Sequence, residues 1–117
     1  MSLISDQNCF TADIARLIAH VHETGWACTF GEAWRTVEQQ KIYFDNGRSK
    51  TMNSQHLNRL AVDFNFFSYA DGKIIMQSDK KSLQWIGDFW EKLDKKNSWG
   101  GNWKNFIDCP HFQRNVS

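Results

Sequence analysis

Two pairs of residues in this sequence combine metal-ligating chemistry with apolar surroundings. The first is His56 and Asp63 in SQHLNRLAVDF (54–64); the second is Asp108 and His111 in DCPH (108–111). Imidazole nitrogens and carboxylate oxygens bind zinc at about 2 Å, so the ligand atoms of one site lie within roughly 4 Å of each other. Seven residues of helix would separate His56 from Asp63 by about 10 Å. Seven residues of strand would separate them by about 23 Å, on opposite faces. Neither regular element fits, so the chain must turn between them, with His56 on the turn and Asp63 entering a strand. Asn58 and Arg59 leave room for that turn. Taken alone, the spacing is better explained by a surface histidine and a hairpin aspartate. The second pair changes that balance, with Pro110 constraining the local backbone. Three protein ligands with one open position is the catalytic zinc pattern, and a fourth acidic residue can serve as general base.

The elements that must position these residues can be read from periodicity. Phe10, Ile14, Leu17 and Val21 recur at helical spacing, and Gly25 is placed to stop that helix. WACTF (26–30) reads as a buried strand, 36–44 as a second helix closing near Asn46-Gly47, and 48–53 as a polar loop. AVDFNFF (61–67) and KIIMQ (73–77) flank Asp71-Gly72 and predict a hairpin. Ser78-Asp79 caps a third helix with Leu83, Ile86, Phe89, Trp90 and Leu93 on its apolar side. NSWGGNW (97–103) is expected to be loop and FIDCPHF (106–112) a last strand. The expected fold class is α+β, a small antiparallel sheet with helices packed on one side, forming a single domain over 1–117.

Composition narrows the function classes. The 117 residues hold one sizeable core, with 41% hydrophobic and 15% aromatic content, including six Trp and nine Phe. A net charge of +1 makes no electrostatic case for nucleic acid. Lys80, Lys81, Lys92, Lys95 and Lys96 cluster locally and read as a solvated helix face. No apolar run approaches the roughly 20 residues of a membrane span, and MSLISDQNCF lacks the basic start and apolar core of a signal peptide. Cys9, Cys28 and Cys109 are odd in number and form no CxxC pair, which predicts reduced thiols. His20 and His22, two apart on a helix, face different directions and read as ordinary helix residues.

Ser54-x-His56-x6-Asp63 followed by Asp108-x-x-His111 resembles the zinc peptidases of the D-alanyl-D-alanine carboxypeptidase family (peptidase family M15). Within that family the chain looks most like the L-alanyl-D-glutamate peptidases of phage endolysins. AWRTVEQQ (33–40), GRSKTMNSQHL (47–57) and SWGGNWKNFIDCPHFQ (98–113) are similar to family segments in consistent order. The resemblance implies one zinc per chain, held by His56, Asp63 and His111. It implies that Asp108 is the base that activates the attacking water and returns the proton to the leaving amine. Arg35 would bind a substrate carboxylate or polarise the scissile carbonyl, and Ser54 would support the first-ligand loop. Many relatives carry Gly where this chain has Arg59, so the turn differs or Arg59 lines the substrate groove.

Competing readings remain beside these. In an ideal strand Cys109 shares a face with His111, so a closed, inert His56/Asp63/Cys109/His111 site is conceivable. Arg35 could instead pair with Glu32 or Glu38. Trp99 and Trp103 are either core or the walls of a peptide groove. The function expected is cleavage of the peptidoglycan stem, at L-Ala–D-Glu, by a monomeric phage or prophage endolysin. It would remain in the host cytoplasm until a holin opens the way to the wall. A D-Ala-D-Ala carboxypeptidase and a non-catalytic zinc-containing wall-peptide or protein-binding domain are the alternatives.

Overall fold

The computed structural model describes residues 2–116. Helix α1 spans Leu3–Glu23, strand β1 Ala27–Phe30, helix α2 Val37–Asp45, β2 Ala61–Ala70 and β3 Lys73–Gln77. Helix α3 (Lys80–Leu93), β4 (Asn97–Trp99), a short 3-10 turn (Gly100–Asn102) and β5 (His111–Arg114) complete the chain. The strands form one antiparallel sheet in the order β1-β2-β5-β4, with β3 also paired to β2. This is the expected α+β architecture.

Helix α1 begins seven residues before the first apolar position that marks it, because Ser2 caps it by accepting from the Ser5 amide at 3.1 Å. Its buried stripe runs Asp6, Phe10, Asp13, Leu17, Val21. Two of those five contacts are carboxylates, so apolar periodicity alone stops short. Asp6 accepts from Arg114 Nε at 3.0 Å and Asp13 from Asn97 Nδ2 at 3.1 Å, which compensates their burial. Those bonds tie the first helix to the last strands. His20 stacks on Phe89 of α3, ring centroids 3.9 Å apart, and His22 lies beside Cys28, consistent with ordinary helix roles.

The core lies between α1, α3 and one face of the sheet. Leu17, Val21, Leu83, Ile86 and Trp90 meet Val62, Phe64, Phe66 and Phe112 there. Trp90 meets Phe10 and Phe112 edge-on, and its indole N–H is shared by the Ser98 and Gln113 carbonyls. No residue of α2 belongs to this core; Val37, Ile42 and Phe44 are exposed. Helix α2 is held instead through its own Gln40, the one fully buried residue of the helix.

Two segments differ from expectation. NSWGGNW is not loop throughout: 97–99 forms a three-residue edge strand, Trp99 opposite Phe112, too short to show alternation. The last strand begins only at His111, because 106–110 turns. The His111 amide donates to the Asp108 carbonyl at 3.1 Å, closing that turn, and Pro110 offers its carbonyl to the Phe64 amide.

Candidate metal centre

Alternation on β2 sets the first ligand position. Val62 and Phe64 face the core, so Asp63 faces away from it. Strand β5 pairs with β2 in a register that puts His111 directly opposite Asp63 and Phe112 opposite Val62. The polar pair therefore shares one face and the apolar pair the other. The segment 31–35 flanks β2 on its far side. The Gly31 amide donates to the Asp63 carbonyl, the Asp63 amide to the Glu32 carbonyl, and the Arg35 amide to the His56 carbonyl.

His56 arrives from a compact turn, as the spacing requires. Its amide donates to Ser54 Oγ at 3.2 Å, and the Leu57, Asn58, Arg59 and Leu60 amides bond back to residues 54–56. Arg59 closes the turn in the left-handed region at φ 59°, a conformation that costs a non-glycine residue on the order of 1 kcal/mol.

Three ligand atoms converge. His56 Nε2 and His111 Nδ1 each lie 3.2 Å from Asp63 Oδ1, and the three atoms are all within 4.8 Å of one another. The opposite nitrogen of each ring is engaged: His56 Nδ1 lies 3.1 Å from the Ala33 carbonyl and His111 Nε2 lies 2.7 Å from Gln113 Oε1. Both partners are acceptors, so those nitrogens carry the protons and the neutral rings turn their lone pairs towards Asp63. His56 Nε2 is buried without a hydrogen-bond partner. An orphaned lone pair facing a carboxylate oxygen and a second lone pair is an arrangement that a cation completes. Two nitrogens and one oxygen at this spacing fit zinc, and the cleft side is left open for a fourth ligand. Burial raises the Asp63 carboxyl; were both imidazoles protonated, the hydrogen bonds and charge of His111 and then His56 would outweigh it and would hold the group far below the usual carboxylate range.

Asp108 stands beside the trio, its Oδ2 4.0 Å from His111 Nδ1. Burial raises its carboxyl above the ordinary range, opposed by the charge of His111 and reinforced by that of Asp63. Its backbone is clamped by Gly100, whose carbonyl accepts from the Asp108 amide at 3.0 Å. A Cβ at Gly100 would come 2.2 Å from the Asp108 carbonyl oxygen, so only glycine allows this approach.

Arg35 lines the same cleft of about 580 Å³. Its Nε donates to Glu32, and its Nη1 to Gln40 Oε1 at 2.7 Å and Ser54 Oγ at 3.4 Å. The Glu32 ion pair that competed with a substrate role is therefore present, while the guanidinium still borders the cleft. Ser54 bridges Arg35 and the His56 turn. Trp103 also lines the cleft, its ring 4.9 Å from that of His111.

Three positions have competing readings, and the fold separates them. Trp99 is core, not groove wall: it is fully buried, sandwiched where Gly87 and Gly101 leave no side chain, and its indole donates to the Cys109 carbonyl at 2.7 Å. Arg59 does not line the cleft; it lies over the Trp34 ring at 4.9 Å beside a separate apolar hollow. Cys109 lies outside the three-residue cluster found among the described residues, because the turn at 106–110 breaks the alternation that would have aligned it with His111. Gln113 and Gln40 carry no expectation from the sequence. The first shares a strand face with His111 two residues earlier, a signal present in HFQ; Gln40 acquires its partners only through folding.

A family model described as D-alanyl-D-alanine carboxypeptidase matches residues 47–114. The L-alanyl-D-glutamate peptidase of Listeria phage A118 is 38% identical over 89 residues, covering 72% of this chain and 29% of its own length. The chain thus spans less than a third of that relative. Among solved structures, the Serratia marcescens L-Ala D-Glu endopeptidase ChiX is similar at TM-score 0.68 and 24% identity, over 89% of this chain and 79% of its own. The vancomycin-resistance D,D-pentapeptidase VanY, in complex with Zn(II), is similar at TM-score 0.57 and 16% identity, over 92% of this chain and 71% of its own. At those identities the likeness to the two structures is one of fold. With more than half of its length matched by the family model and a relative at 38% identity, the chain belongs to the D-alanyl-D-alanine carboxypeptidase family of peptidases, family M15.

Proposed function

We propose that this chain is a single catalytic domain that cuts the peptide stem of bacterial peptidoglycan, at the L-Ala–D-Glu bond, with one zinc held by His56, Asp63 and His111. The observation that carries the reading is the convergence of three ligand atoms, one of them orphaned, next to a fourth carboxylate at the edge of an open cleft. A zinc ion bound there supplies a Lewis acid that polarises the scissile carbonyl and acidifies a water.

The remaining steps belong to the protein. Asp108, a carboxylate of raised basicity, takes the proton of the attacking water and passes it to the departing amine. Arg35, anchored by Glu32, Gln40 and Ser54, presents a fixed guanidinium to a substrate carboxylate or to the oxygen that gains charge. The Ala33 carbonyl and Gln113 hold the two imidazoles in the required tautomers.

The named activity of the phage relative supports the L-Ala–D-Glu bond, and a phage or prophage lysis role with it. The description of the matched family supports the second reading, a D-Ala-D-Ala carboxypeptidase with the same chemistry. Within the first reading the protein acts as a monomer, accumulates in the host cytoplasm and reaches the wall once a holin opens the inner membrane. No helix of the described residues is long and apolar enough to cross a membrane itself.

Digestion of purified peptidoglycan, followed by mass spectrometry of the new termini, tests these readings. New N-terminal D-Glu supports the first and released D-Ala the second. Absence of new termini from zinc-loaded protein would leave a wall-binding domain, against which the presence of Asp108 argues.

A further inference from the structure

The cleft carries two cations that the chemistry above does not use. Arg48 and Lys50 lie on the loop between α2 and the His56 turn, and both line the cleft that holds the candidate metal centre. Arg48 stands 4.8 Å from the centroid of the Tyr43 ring, the same distance as Arg35, so the one ring supports both guanidiniums. Lys50 stands 5.8 Å from the Phe106 ring. The two arginines are in opposite electrostatic situations. Arg35 is committed to the Glu32 carboxylate, Gln40 and Ser54. Among the described residues neither Arg48 nor Lys50 forms an ion pair with an acidic group.

The loop that carries them is fastened from below. Gln40, fully buried, donates through Nε2 to Ser49 Oγ and to the Thr51 carbonyl while accepting from Arg35. The Arg48 and Ser49 amides both donate to the Tyr43 carbonyl. The backbone that carries Arg48 is therefore held on the cleft wall, while its exposed guanidinium, resting on the Tyr43 ring, has no acidic partner among the described residues.

We propose that Arg48, assisted by Lys50, forms a carboxylate subsite distinct from Arg35, which reads the free α-carboxylate of the D-Glu residue in the stem. A planar fork of donors held on an aromatic face suits a carboxylate, and an unpaired cation in a cleft favours an acidic ligand over its amide. The inference rests on the peptidoglycan reading and deepens it into a discrimination between stems with free and amidated D-Glu.

The test uses zinc-loaded wild type and Arg48→Gln on two synthetic stem peptides that differ only in whether the D-Glu α-carboxylate is free or amidated. Wild type is expected to favour the free acid about tenfold in kcat/KM. R48Q is expected to lose that preference, and Arg48→Lys to keep part of it, at unchanged zinc content. Absence of a preference in wild type, or an R48Q ratio equal to the wild-type ratio, overturns the subsite while leaving the peptidase reading intact. If zinc-loaded wild type cuts neither stem, the peptidase reading fails and the subsite with it.

Discussion

Asp63 and His111 sit directly opposite each other on β2 and β5, with Asp63 Oδ1 3.2 Å from His111 Nδ1. Residues 48 apart in the chain thus become a cross-strand pair, and strand register alone decides that they meet. A one-residue slip would turn Asp63 into the core and Phe64 out of it, so the apolar packing of Phe64 and Phe112 guards the position of the polar pair.

Zinc is expected to stabilise the fold as well as enable the chemistry. At a free zinc concentration of 100 times Kd, binding to the folded chain adds about 2.7 kcal/mol, or a Tm rise of roughly 10 °C for a domain of this size. His56→Ala should lose both the metal and that increment, because it removes the ligand that is buried without another partner. Elemental analysis with thermal melts checks this, and full zinc occupancy in His56→Ala would refute the ligand set. Cys109→Ala should keep its zinc.

Asp108→Asn preserves size and removes the basic oxygen. We expect unchanged zinc content, an unchanged melting temperature within a few degrees, and lysis slowed by about 100- to 10,000-fold. Turbidity clearing of permeabilised cells, with metal analysis of the same preparation, reads both quantities. Clearing at the wild-type rate would remove Asp108 from the mechanism; loss of zinc would make it a ligand.

Gln113 should act through His111. Gln113→Leu deletes the acceptor at 2.7 Å from Nε2, which frees the ring to change tautomer. Zinc affinity measured by chelator competition is expected to fall about 10- to 100-fold. Nitrogen chemical shifts of the zinc-free protein should show His111 as a tautomer mixture, a change that simple loss of packing would not produce. An unaltered affinity would make Gln113 a bystander.

Acid should loosen the clamp between the two ends of the chain. The Arg114 hydrogen bond lowers the Asp6 carboxyl, and the Lys96 amide and then Arg114 lower that of Asp94. For depressed carboxyls the stabilisation is present above the unfolded value, near 3.8, and is lost as pH falls through the lower folded values. Asp6→Asn should therefore lower Tm at neutral pH and flatten the decline of Tm with pH below 4. A mutant curve parallel to wild type throughout would show that this pair does not contribute.

Much of the site was legible because its residues are chemically scarce. Only His56, Asp63, Asp108 and His111 joined ligand chemistry to apolar context, and their spacing excluded a regular element between the first two. The hairpin at Asp71-Gly72 and helices α2 and α3 were legible for a related reason: caps, turn residues and apolar period are local properties of the chain. Helix α1 extends further than its apolar period because Asp6 and Asp13 are buried by partners 108 and 84 residues away, Arg114 and Asn97, which no local pattern announces. Trp99 shows the same limit. A tryptophan before two glycines suits a groove or a core equally; the close approach of Gly87, from helix α3, settles it as core. The tautomers of His56 and His111 were likewise decided by acceptors that only the fold brings near, the Ala33 carbonyl and Gln113. Residue type and spacing therefore permitted a zinc hydrolase and the resemblance to a peptidase family favoured it, while register and long-range hydrogen bonds decided which lone pairs point at the candidate metal position and which tryptophan lines the cleft.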